Sequence, residues 1–540
     1  MTATFDLASQ PWIPVLRSDG RPDLVGIREA LGGAPGILAV DADSPLVTAA
    51  LHRVLLAVLH RVIGGPADAE DWDAVWSAGR FDPVRLDAYL GAWADRFDLF
   101  DARHPFMQDP QVAAAESKPV AILLPERASE RNSALLFDHT IEASLRPAEA
   151  ACAVLVAHLY GPPGMMTPHP TDPKKSCQAG PLTGTATVFA RGRTLFETLC
   201  LNLVRYAPTD GEPIAGDATD RPNWERTEPL VPGERAVRGW LDELTWLSRG
   251  ILLHPEIDAN GATVVRRAAM TRGEERYRGA AGSRSRTEPT FLAFRANPQA
   301  KTETDDPFLP IRFEAARAFW RDSTALLVAA DDRSSIRPKV IDWIGLLARE
   351  GYGDLPRTRI VPLDAYGLTM ASGRASKPYL WRREHLAVSP AILEDRAIQD
   401  LVARAARYAE AVGSLFEPRY VREVGVKPAP GPFLVLAEEL GDRDRVTVDP
   451  VRVAAPYWAA LDPAFARFVE ALGDPDAAAR TAAFLAWTDA VGSAATGAFR
   501  SATRDLERQP RAALAVASAD IVFRRQLAAL RAKHVPEVSA

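Results

Sequence analysis

The chain has 540 residues, which is too long for one hydrophobic core and predicts two or more domains. Its 47% hydrophobic and 25% charged residues are typical of a globular protein, and its net charge of −6 argues against a protein that coats nucleic acid without sequence preference. The three cysteines form no C-x-x-C pair, so we expect no zinc site, no disulfide framework and a reducing cytoplasm.

The N-terminal region begins with MTATFDLASQPW, which lacks the basic and apolar parts of a signal peptide. Short strands and turns are predicted over residues 5–40. Ser44-Pro45 then starts a helix that should end at Val62, before two glycines. Histidines and arginines interrupt this apolar helix, which predicts a core helix rather than a membrane span. Two more helices are expected near 68–78 and 82–97.

The middle of the chain alternates helices, loops and strands. Pro147 opens a helix that ends at Gly161, followed by GPPGMMTPHPTDPKKSCQAGPLTG at 161–184, which we call the proline-rich loop. A strand follows at TATVFARG and a helix at RTLFETLCLNLVRY. Residues 255–310 are predicted to be irregular and basic. Helices are expected around 311–330 and 338–350, and TRIVPLDAYGL is predicted to be a strand.

The C-terminal region is predicted to be helical. Apolar residues such as Ile398, Leu401, Ala405 and Tyr408 recur at helical spacing. Four long segments are joined by short breaks, at about 391–417, 447–472, 474–506 and 510–533, which is typical of an antiparallel four-helix bundle. The predicted fold class is α+β, with a large mixed α/β N-terminal domain over 1–388 and the bundle over 389–540.

The proline-rich loop allows several interpretations. A phosphate loop of the G-x-x-x-x-G-K-[ST] type needs glycines, whose amides wrap a phosphate between a strand and a helix. Here Lys175-Ser176 follows Pro173-Lys174, the prolines remove amide donors, and the predicted order is helix, loop, strand. A nucleotide-binding loop is therefore disfavoured, which leaves a nucleic-acid contact or a plain surface loop.

Sequence signatures of catalysis are missing. The nine histidines fall into no H-E-x-x-H motif and no G-x-S-x-G occurs, while acidic pairs such as Asp305-Asp306 and Asp331-Asp332 are expected in turns or caps rather than at a magnesium site. These absences do not exclude an enzyme, but nothing in the sequence supports one, and we expect no cofactor and no metal.

A basic segment stands out against the acidic whole. Residues 266–295 hold eight arginines and three glutamates, a local charge of +5. Such segments contact phosphates, although a solvated loop with internal ion pairs has the same composition. A second small, basic stretch, GRASK at 373–377, is predicted to form a tight turn after a strand.

Several motifs together resemble one family. FDLASQPWIPVL, HPFMQ at 104–108, NSALLFDH at 132–139, TATVFARG and GRASKPYLWRREHL occur in this order, so the chain resembles the large subunit, the CasA family, of the type I-E CRISPR complex Cascade. The resemblance covers nearly the whole chain. It implies a non-catalytic DNA-recognition subunit with a mixed N-terminal domain and a C-terminal four-helix bundle.

The resemblance also implies a function and partners. Such a subunit reads the short PAM element of double-stranded target DNA from the minor groove and helps to open the duplex, so that guide RNA can pair. It then docks the helicase–nuclease of the system. The implied partners are the other Cascade subunits, the guide RNA, the target DNA and that helicase–nuclease, with no membrane.

Three regions of the family contact the PAM, and we match them to this sequence. The proline-rich loop takes the place of a glycine-rich loop, an arginine-rich segment takes the place of a minor-groove lysine, and the GRASK turn takes the place of a wedge. The corresponding residues are Thr171, Asp172, Lys174, Lys175 and Ser176 in the loop, Arg284 and Arg286 in the segment, and Arg374, Ala375 and Ser376 in the turn.

A fourth region matches the loop that anchors the subunit to the complex and to the guide RNA. It comprises Phe137, Asp138, His139 and Arg146. Two alternative functions stay open at this point. One is a phosphate- or nucleotide-using enzyme built on residues 161–184, and the other is a helical scaffold without DNA contact.

Overall fold

The chain forms two compact units in the computed structural model. The described residues are 3–125, 142–276, 290–297, 299–301, 307–314, 317–328, 335–355, 359–370, 378–422, 427–440 and 450–535. The first unit comprises Met1–Phe313, Asp332–Leu355 and Pro362–His385, and the second comprises Glu314–Asp331, Pro356–Val361 and Leu386–Ala540. Helices and strands are mixed in the first unit, and helices dominate the second.

The first unit opens with short strands, as the sequence predicts, and these form a small antiparallel sheet. Its strands lie in the order Pro22–Val25, Ile13–Arg17, Ile37–Val40. The buried indole of Trp12 donates to the carbonyl of Leu7 at 2.9 Å, which fixes the chain just before the central strand.

The helix Pro45–Ile63 is the core helix predicted from its apolar run. Proline stands at its first position, and Gly64 ends it with a φ of +89°, a left-handed conformation that suits glycine. The helix is long and apolar enough to cross a membrane, but 83% of its most apolar 18-residue stretch is buried inside the protein.

The first unit contains an antiparallel hairpin formed by Arg249–Ile257 and Thr263–Arg272, which we call the central hairpin. Ser117–Pro119 adds a third strand to it. The expected irregular structure over 255–310 is therefore wrong for residues 255–276. The arginines suggested a solvated loop, but Arg272 and Arg276 lie buried and paired with carboxylates, so the strand tolerates them.

A second three-stranded sheet carries the predicted strand TRIVPLDAYGL. Its strands lie in the order Pro378–Val388, Val361–Met370, Ala186–Ala190. We call the first two strands the long hairpin. Ala186–Ala190 pairs antiparallel with Val361–Met370 and is fully buried, as its apolar sequence predicts.

The remaining elements of the first unit are short. The helices are Ile27–Gly32, Ala69–Ser77, Pro83–Ala92, Pro147–Tyr160, Leu195–Asn202, Trp240–Leu244 and Lys339–Glu350. The strands are Gly164–Met165, Ser176–Cys177, Gly233–Arg235, Glu274–Arg276, Phe294–Ala296, Phe308–Pro310 and Ser335–Ile336.

The second unit contains four long helices near the four predicted segments. They are Arg396–Gly413, Pro450–Ala471, Ala477–Thr503 and Pro510–His534. Short elements complete the unit: Ser323–Leu327, Pro390–Glu394, Tyr420–Val421, Ala429–Pro430 and Pro432–Leu440.

Aromatic side chains pack these helices together. The buried indole of Trp487 donates to the carbonyl of Ala405 at 3.2 Å and stacks on Phe468, while Phe499 stacks on Phe523 at 4.6 Å between ring centroids. Their packing as an antiparallel four-helix bundle stays a prediction.

Two sequence expectations differ from the structure near the unit boundary. The helix predicted over 311–330 is wrong, since its described part contains only Ser323–Leu327 and a preceding turn. Residues 314–331, assigned by sequence to the N-terminal domain, group with the second unit. The reason is local packing, because Arg321 pairs with Glu410 at 2.8 Å and Trp320 stacks on Phe465.

Candidate nucleic-acid interface

The proline-rich loop is built around a small hairpin. Gly164–Met165 pairs antiparallel with Ser176–Cys177, and the amide of Met166 donates to the carbonyl of Lys175 at 2.7 Å. The residues between the two short strands form a turn whose prolines limit the number of backbone donors.

A buried arginine holds the base of the loop. Arg249 donates from Nη2 to the carbonyls of Gly161 at 2.9 Å and Pro162 at 3.0 Å, where the preceding helix ends. The amide of Gly180 closes the other side by donating to the carbonyl of Gly161 at 2.8 Å. Both ends of the loop are thus fixed to the end of the helix Pro147–Tyr160.

A histidine organises the turn. The buried His169 places Nε2 at 2.9 Å from a carboxylate oxygen of the buried Asp109, so the turn is tied to the chain that follows HPFMQ. The amide of Thr171 donates to Nδ1 of the same ring at 3.1 Å, and the amide of Asp172 donates to the carbonyl of His169 at 3.0 Å.

These bonds change the chemistry expected at Thr171 and Asp172. Both residues are predicted to contact DNA, but their amides donate inside the turn, and the amide of Lys174 donates to Asp172 at 2.9 Å. The amides therefore form no open phosphate cradle, which also argues against the nucleotide-using enzyme.

Buried charges tie the turn to the central hairpin. Arg272, which is almost fully buried, pairs with Asp172 on one side and with Glu275 at 3.0 Å on the other. Glu275 also accepts from the amide of Gln178 at 3.3 Å. The hydrogen bond from the Lys174 amide and the nearby Arg272 guanidinium hold the pKa of Asp172 below its usual range.

The exposed side of the loop carries the cations. The side chain of Lys174 is 51% exposed, with its ammonium 3.6 Å from Glu275, and Thr171, Lys175 and Ser176 are also exposed. Met165, in the neighbouring strand, is 75% exposed. The loop therefore presents two lysines and an apolar side chain on a base that buried contacts fix.

The basic segment 266–295 is less basic in the structure than in the sequence. Arg266 pairs with Glu256, Arg267 donates to the carbonyl of Ser117, and Arg272 and Arg276 are buried with carboxylates. In the described part of this segment, the expected basic patch is thus largely neutralised. The predicted contact residues Arg284 and Arg286 lie outside the described residues.

The predicted wedge lies between the two strands of the long hairpin. Val361–Met370 leads to it and Pro378–Val388 leads away from it. Arg374, Ala375 and Ser376 lie outside the described residues.

The predicted anchoring loop is described only at its end. Phe137, Asp138 and His139 lie outside the described residues. Arg146 stands directly before the helix Pro147–Tyr160, where its guanidinium pairs with Glu149 at 2.6 Å and is 72% exposed. An exposed pair of this kind contributes little to folding and leaves the arginine accessible to a partner.

The cysteines show no features of a reactive site. Burial raises the pKa of the Cys152 thiol to about 12 and also raises that of Cys200, so neither thiol ionises at neutral pH. In the part of the chain that the structure describes, no group of three or more His, Cys, Asp or Glu side chains could hold a metal ion.

Sequence reasoning missed the contacts that fix the loop. The site residues that were not predicted are Asp109, His169, Arg249 and Glu275. The hydrogen bonds that join them to or within the site span 60 or more residues of the chain. The one local signal was the position of Asp109 directly after the HPFMQ block.

Comparison with known proteins identifies relatives over most of the length. A family model described as CRISPR-associated protein Cse1 matches residues 6–498. The CRISPR-associated protein CasA/Cse1 of Thermus thermophilus is 31% identical over 558 residues, covering 97% of this chain and 98% of the relative.

Solved structures show the same fold. Cse1 from Acidimicrobium ferrooxidans superposes with a TM-score of 0.78 at 27% identity, covering 99% of both chains. A chain of a structure described as a CRISPR RNA-guided surveillance complex superposes with a TM-score of 0.72 at 24% identity, covering 96% of this chain and 99% of that chain.

Proposed function

Because the chain belongs to the Cse1 family of CRISPR-associated proteins, we propose that it is the DNA-recognition subunit of an RNA-guided surveillance complex and performs no catalysis. In this function it reads the PAM of double-stranded target DNA from the minor groove and helps to start strand opening and R-loop formation. It then recruits the helicase–nuclease of the system. It works in the cytoplasm, bound to the other subunits and the guide RNA through 137–146, and its C-terminal helices form an antiparallel four-helix bundle.

The observation that carries this proposal is the exposed pair Lys174 and Lys175 on a loop with a buried, charge-paired base. Long lysine side chains on a mobile loop lose conformational entropy when they bind. Here Asp172, Arg272 and His169 already fix the backbone, so less of that cost falls on binding.

The minor groove suits such a site. It presents a degenerate pattern that separates A·T from G·C pairs, and two or three base pairs require only a few contacts. Lysine ammonium groups neutralise phosphates beside the groove, while their donors reach base edges within it. A small cationic loop is compatible with a net charge of −6, since guide RNA supplies the longer sequence match.

The test is a pair of variants in the assembled complex. Lys174→Ala/Lys175→Ala and Arg374→Ala should each weaken binding to a PAM-bearing duplex, by about tenfold for the double variant. Affinity is measured by filter binding at fixed salt, on duplexes with the intended PAM and with that element scrambled. The loss should be larger for the PAM-bearing duplex, because that duplex uses contacts that the scrambled one lacks.

A charge-matched control separates recognition from general electrostatics. Arg21 and Arg508 have side chains 85% and 77% exposed, far from the loop in sequence, and Arg21→Ala/Arg508→Ala removes the same charge. This control should retain the PAM preference. If the loop variants and Arg374→Ala all bind PAM-bearing duplex as tightly as the control, the residue assignment is wrong.

A further inference from the structure

A second cationic surface contains residues of the long hairpin and of the segment directly after Ala186–Ala190 that the sequence did not predict as site residues. We propose that Arg191 and Arg383, fixed by Asp364, form a binding face for the phosphate backbone of duplex DNA. The proposal rests on the proposed function only for the presence of DNA; the contacts that form the face do not depend on it.

One buried carboxylate organises the face. Asp364 is 2% exposed and lies 3.2 Å from Nε of Arg191 and 3.0 Å from Nη2 of Arg383. The hydroxyl of Tyr366 donates at 3.2 Å to the same carboxylate oxygen that both arginines contact, and Nδ1 of His385 lies 2.5 Å from the other carboxylate oxygen. In the described ranges no other carboxylate lies within 4.0 Å of either guanidinium.

The cations face solvent although their anchor is buried. The side chains of Arg191, Arg383 and His385 are 40%, 34% and 53% exposed. Two guanidinium charges therefore share one carboxylate, which leaves a positive charge in excess before His385 is counted. Each planar guanidinium has five N–H donors, so contact with Asp364 leaves donors for phosphate oxygens.

The backbone fixes the positions of these side chains. Asp364 and Tyr366 are two residues apart on one strand, and Arg383 and His385 are two apart on the next, so each pair shares a sheet face. The Arg383 guanidinium also lies 5.5 Å from the ring centroid of Tyr366. The amide of Arg191 donates to the carbonyl of Pro362 at 2.8 Å, which holds it beside the same sheet.

Neighbouring charges do not cancel the face. Arg193 pairs with Glu197 at 2.8 Å, and Arg382 pairs with Glu384, so each of these pairs is neutral by itself. Asp41 also attracts Arg383, but it is exposed and lies beyond 4.0 Å of the guanidinium, so it offsets part of the excess charge without occupying the donors that would bind phosphate. A dianionic or polyanionic partner therefore gains from the excess charge, whereas a neutral partner does not.

The position along the hairpin fits an extended polyanion. Arg383 lies five residues from Pro378, where its strand begins, which corresponds to about 16 Å at roughly 3.3 Å per residue. Phosphates on one DNA strand follow at about 3.4 Å along the axis. The 16 Å between the start of this strand and Arg383 thus corresponds to about five phosphates of one DNA strand.

The experiment compares two double variants of equal charge in the assembled complex. Arg191→Gln/Arg383→Gln removes the face, while Arg28→Gln/Arg266→Gln removes arginines of similar exposure that each pair one-to-one with a carboxylate. Affinity for PAM-bearing and PAM-scrambled duplexes is measured from 50 to 300 mM potassium chloride, conditions chosen for the assay. The first variant should lower both affinities by the same factor and reduce the salt slope by about two, at about 0.9 per phosphate.

Two further variants separate the loss of charge from the loss of folded structure. Arg191→Lys/Arg383→Lys keeps both charges and should recover most of the affinity. If the double glutamine variant unfolds early, Arg191→Gln alone leaves Asp364 with Arg383 and His385 and should lower the slope by about one.

The proposal is overturned if the glutamine variants match the Arg28→Gln/Arg266→Gln control in affinity and slope. It is also overturned if the variants bind duplex normally but lose guide RNA or another subunit during assembly, since the face then serves a different partner. A wild-type complex without any PAM preference would instead count against the proposed function, and the salt slope would still test the face.

Discussion

At the residue scale, Asp172 connects the exposed loop to the buried charges beneath it. Its carboxylate accepts from the amide of Lys174 and pairs with Arg272, which is itself held by Glu275. Each of these three charged side chains has a partner of opposite charge, so the buried charges are tolerated in a low-dielectric site. The arrangement lets two lysines project from a fixed backbone.

We predict that Asp172→Asn loosens the turn without unfolding the protein. Arg272 keeps Glu275 as its carboxylate partner, so no buried charge is left alone. Amides of residues 171–175 should exchange hydrogen faster, and duplex affinity of the complex should fall by roughly threefold to tenfold, since the preorganisation is lost.

The control for this variant is Asp23→Asn, which removes an exposed carboxylate paired with Arg17. It should change neither loop exchange nor duplex affinity. Unchanged exchange in the Asp172→Asn loop would show that the ion pair does not position it.

The residues of the site were only partly accessible from sequence. The motif order led to the loop 161–184, and its lysines are exposed, but the role of the Thr171 and Asp172 amides was not foreseen. Both amides donate to His169, whose ring position is fixed by Asp109, 60 residues away along the chain. No local pattern contains that information.

At the element scale, the loop approaches the end of the helix Pro147–Tyr160 so closely that one position requires glycine. A Cβ atom on Gly180 would lie 2.6 Å from the carbonyl oxygen of Leu159 and 2.9 Å from that of His158. These are backbone atoms, so the helix end or the loop would have to move.

We therefore predict that Gly180→Ala destabilises the first unit by about 1–3 kcal/mol and lowers duplex affinity of the complex. Gly164→Ala is the matched control in the same loop, since a Cβ atom at that position would have open space within 4 Å. Its effect on unfolding should stay within about 0.5 kcal/mol. Equal unfolding temperatures for the two variants would contradict the close approach.

The helix Pro45–Ile63 makes stability depend on pH. Burial lowers the pKa of His60 to about 3, and its Nε2 accepts from the indole of Trp240 at 3.3 Å. The unfolded chain, with an ordinary histidine pKa of about 6.5, takes up a proton that the folded chain refuses. Stability from this group is therefore complete above pH 6.5 and is lost as the pH falls.

The expected loss for His60 is about 1.4 kcal/mol per pH unit between pH 6 and 4. His60→Gln should be less stable at pH 8 but should show a shallower decrease of the unfolding free energy towards acid, measured by denaturant titration. His104→Gln, at an exposed site, should keep the wild-type slope. A wild-type slope in His60→Gln would show that the imidazole is not held neutral.

Element prediction succeeded where the signals were local. The core helix was predicted because Pro45 and Gly64 mark its ends and an apolar run fills it. The central hairpin was missed because its strands are stabilised by pairing across the sheet and by the buried ion pairs of Arg272. Composition alone made this segment resemble a solvated loop.

At the scale of the whole molecule, a net charge of −6 means that DNA binding would depend on localised cationic surfaces. The loop lysines and the Asp364 face each expose positive charge, while many other arginines pair with carboxylates. Under the proposed function, this chain would need no strong affinity for DNA by itself, because guide RNA and partner subunits would provide most of the contact. Recognition then depends on a few placed residues.

The grouping of residues 314–331 with the C-terminal helices shows another limit of sequence reasoning. A boundary drawn along the chain assumes that each unit is continuous, but Arg321 and Trp320 pack with Glu410 and Phe465. Such a return of the chain is set by long-range packing, which helical periodicity does not report.

The most direct measurement omits this chain from the complex. Complexes reconstituted with and without it are titrated with target duplexes that match the guide and differ only in the PAM. The proposed function predicts that the complete complex discriminates between PAM variants by at least tenfold. The complex without this chain should bind all variants equally weakly. Equal discrimination with and without the chain would contradict its assignment as the DNA-recognition subunit.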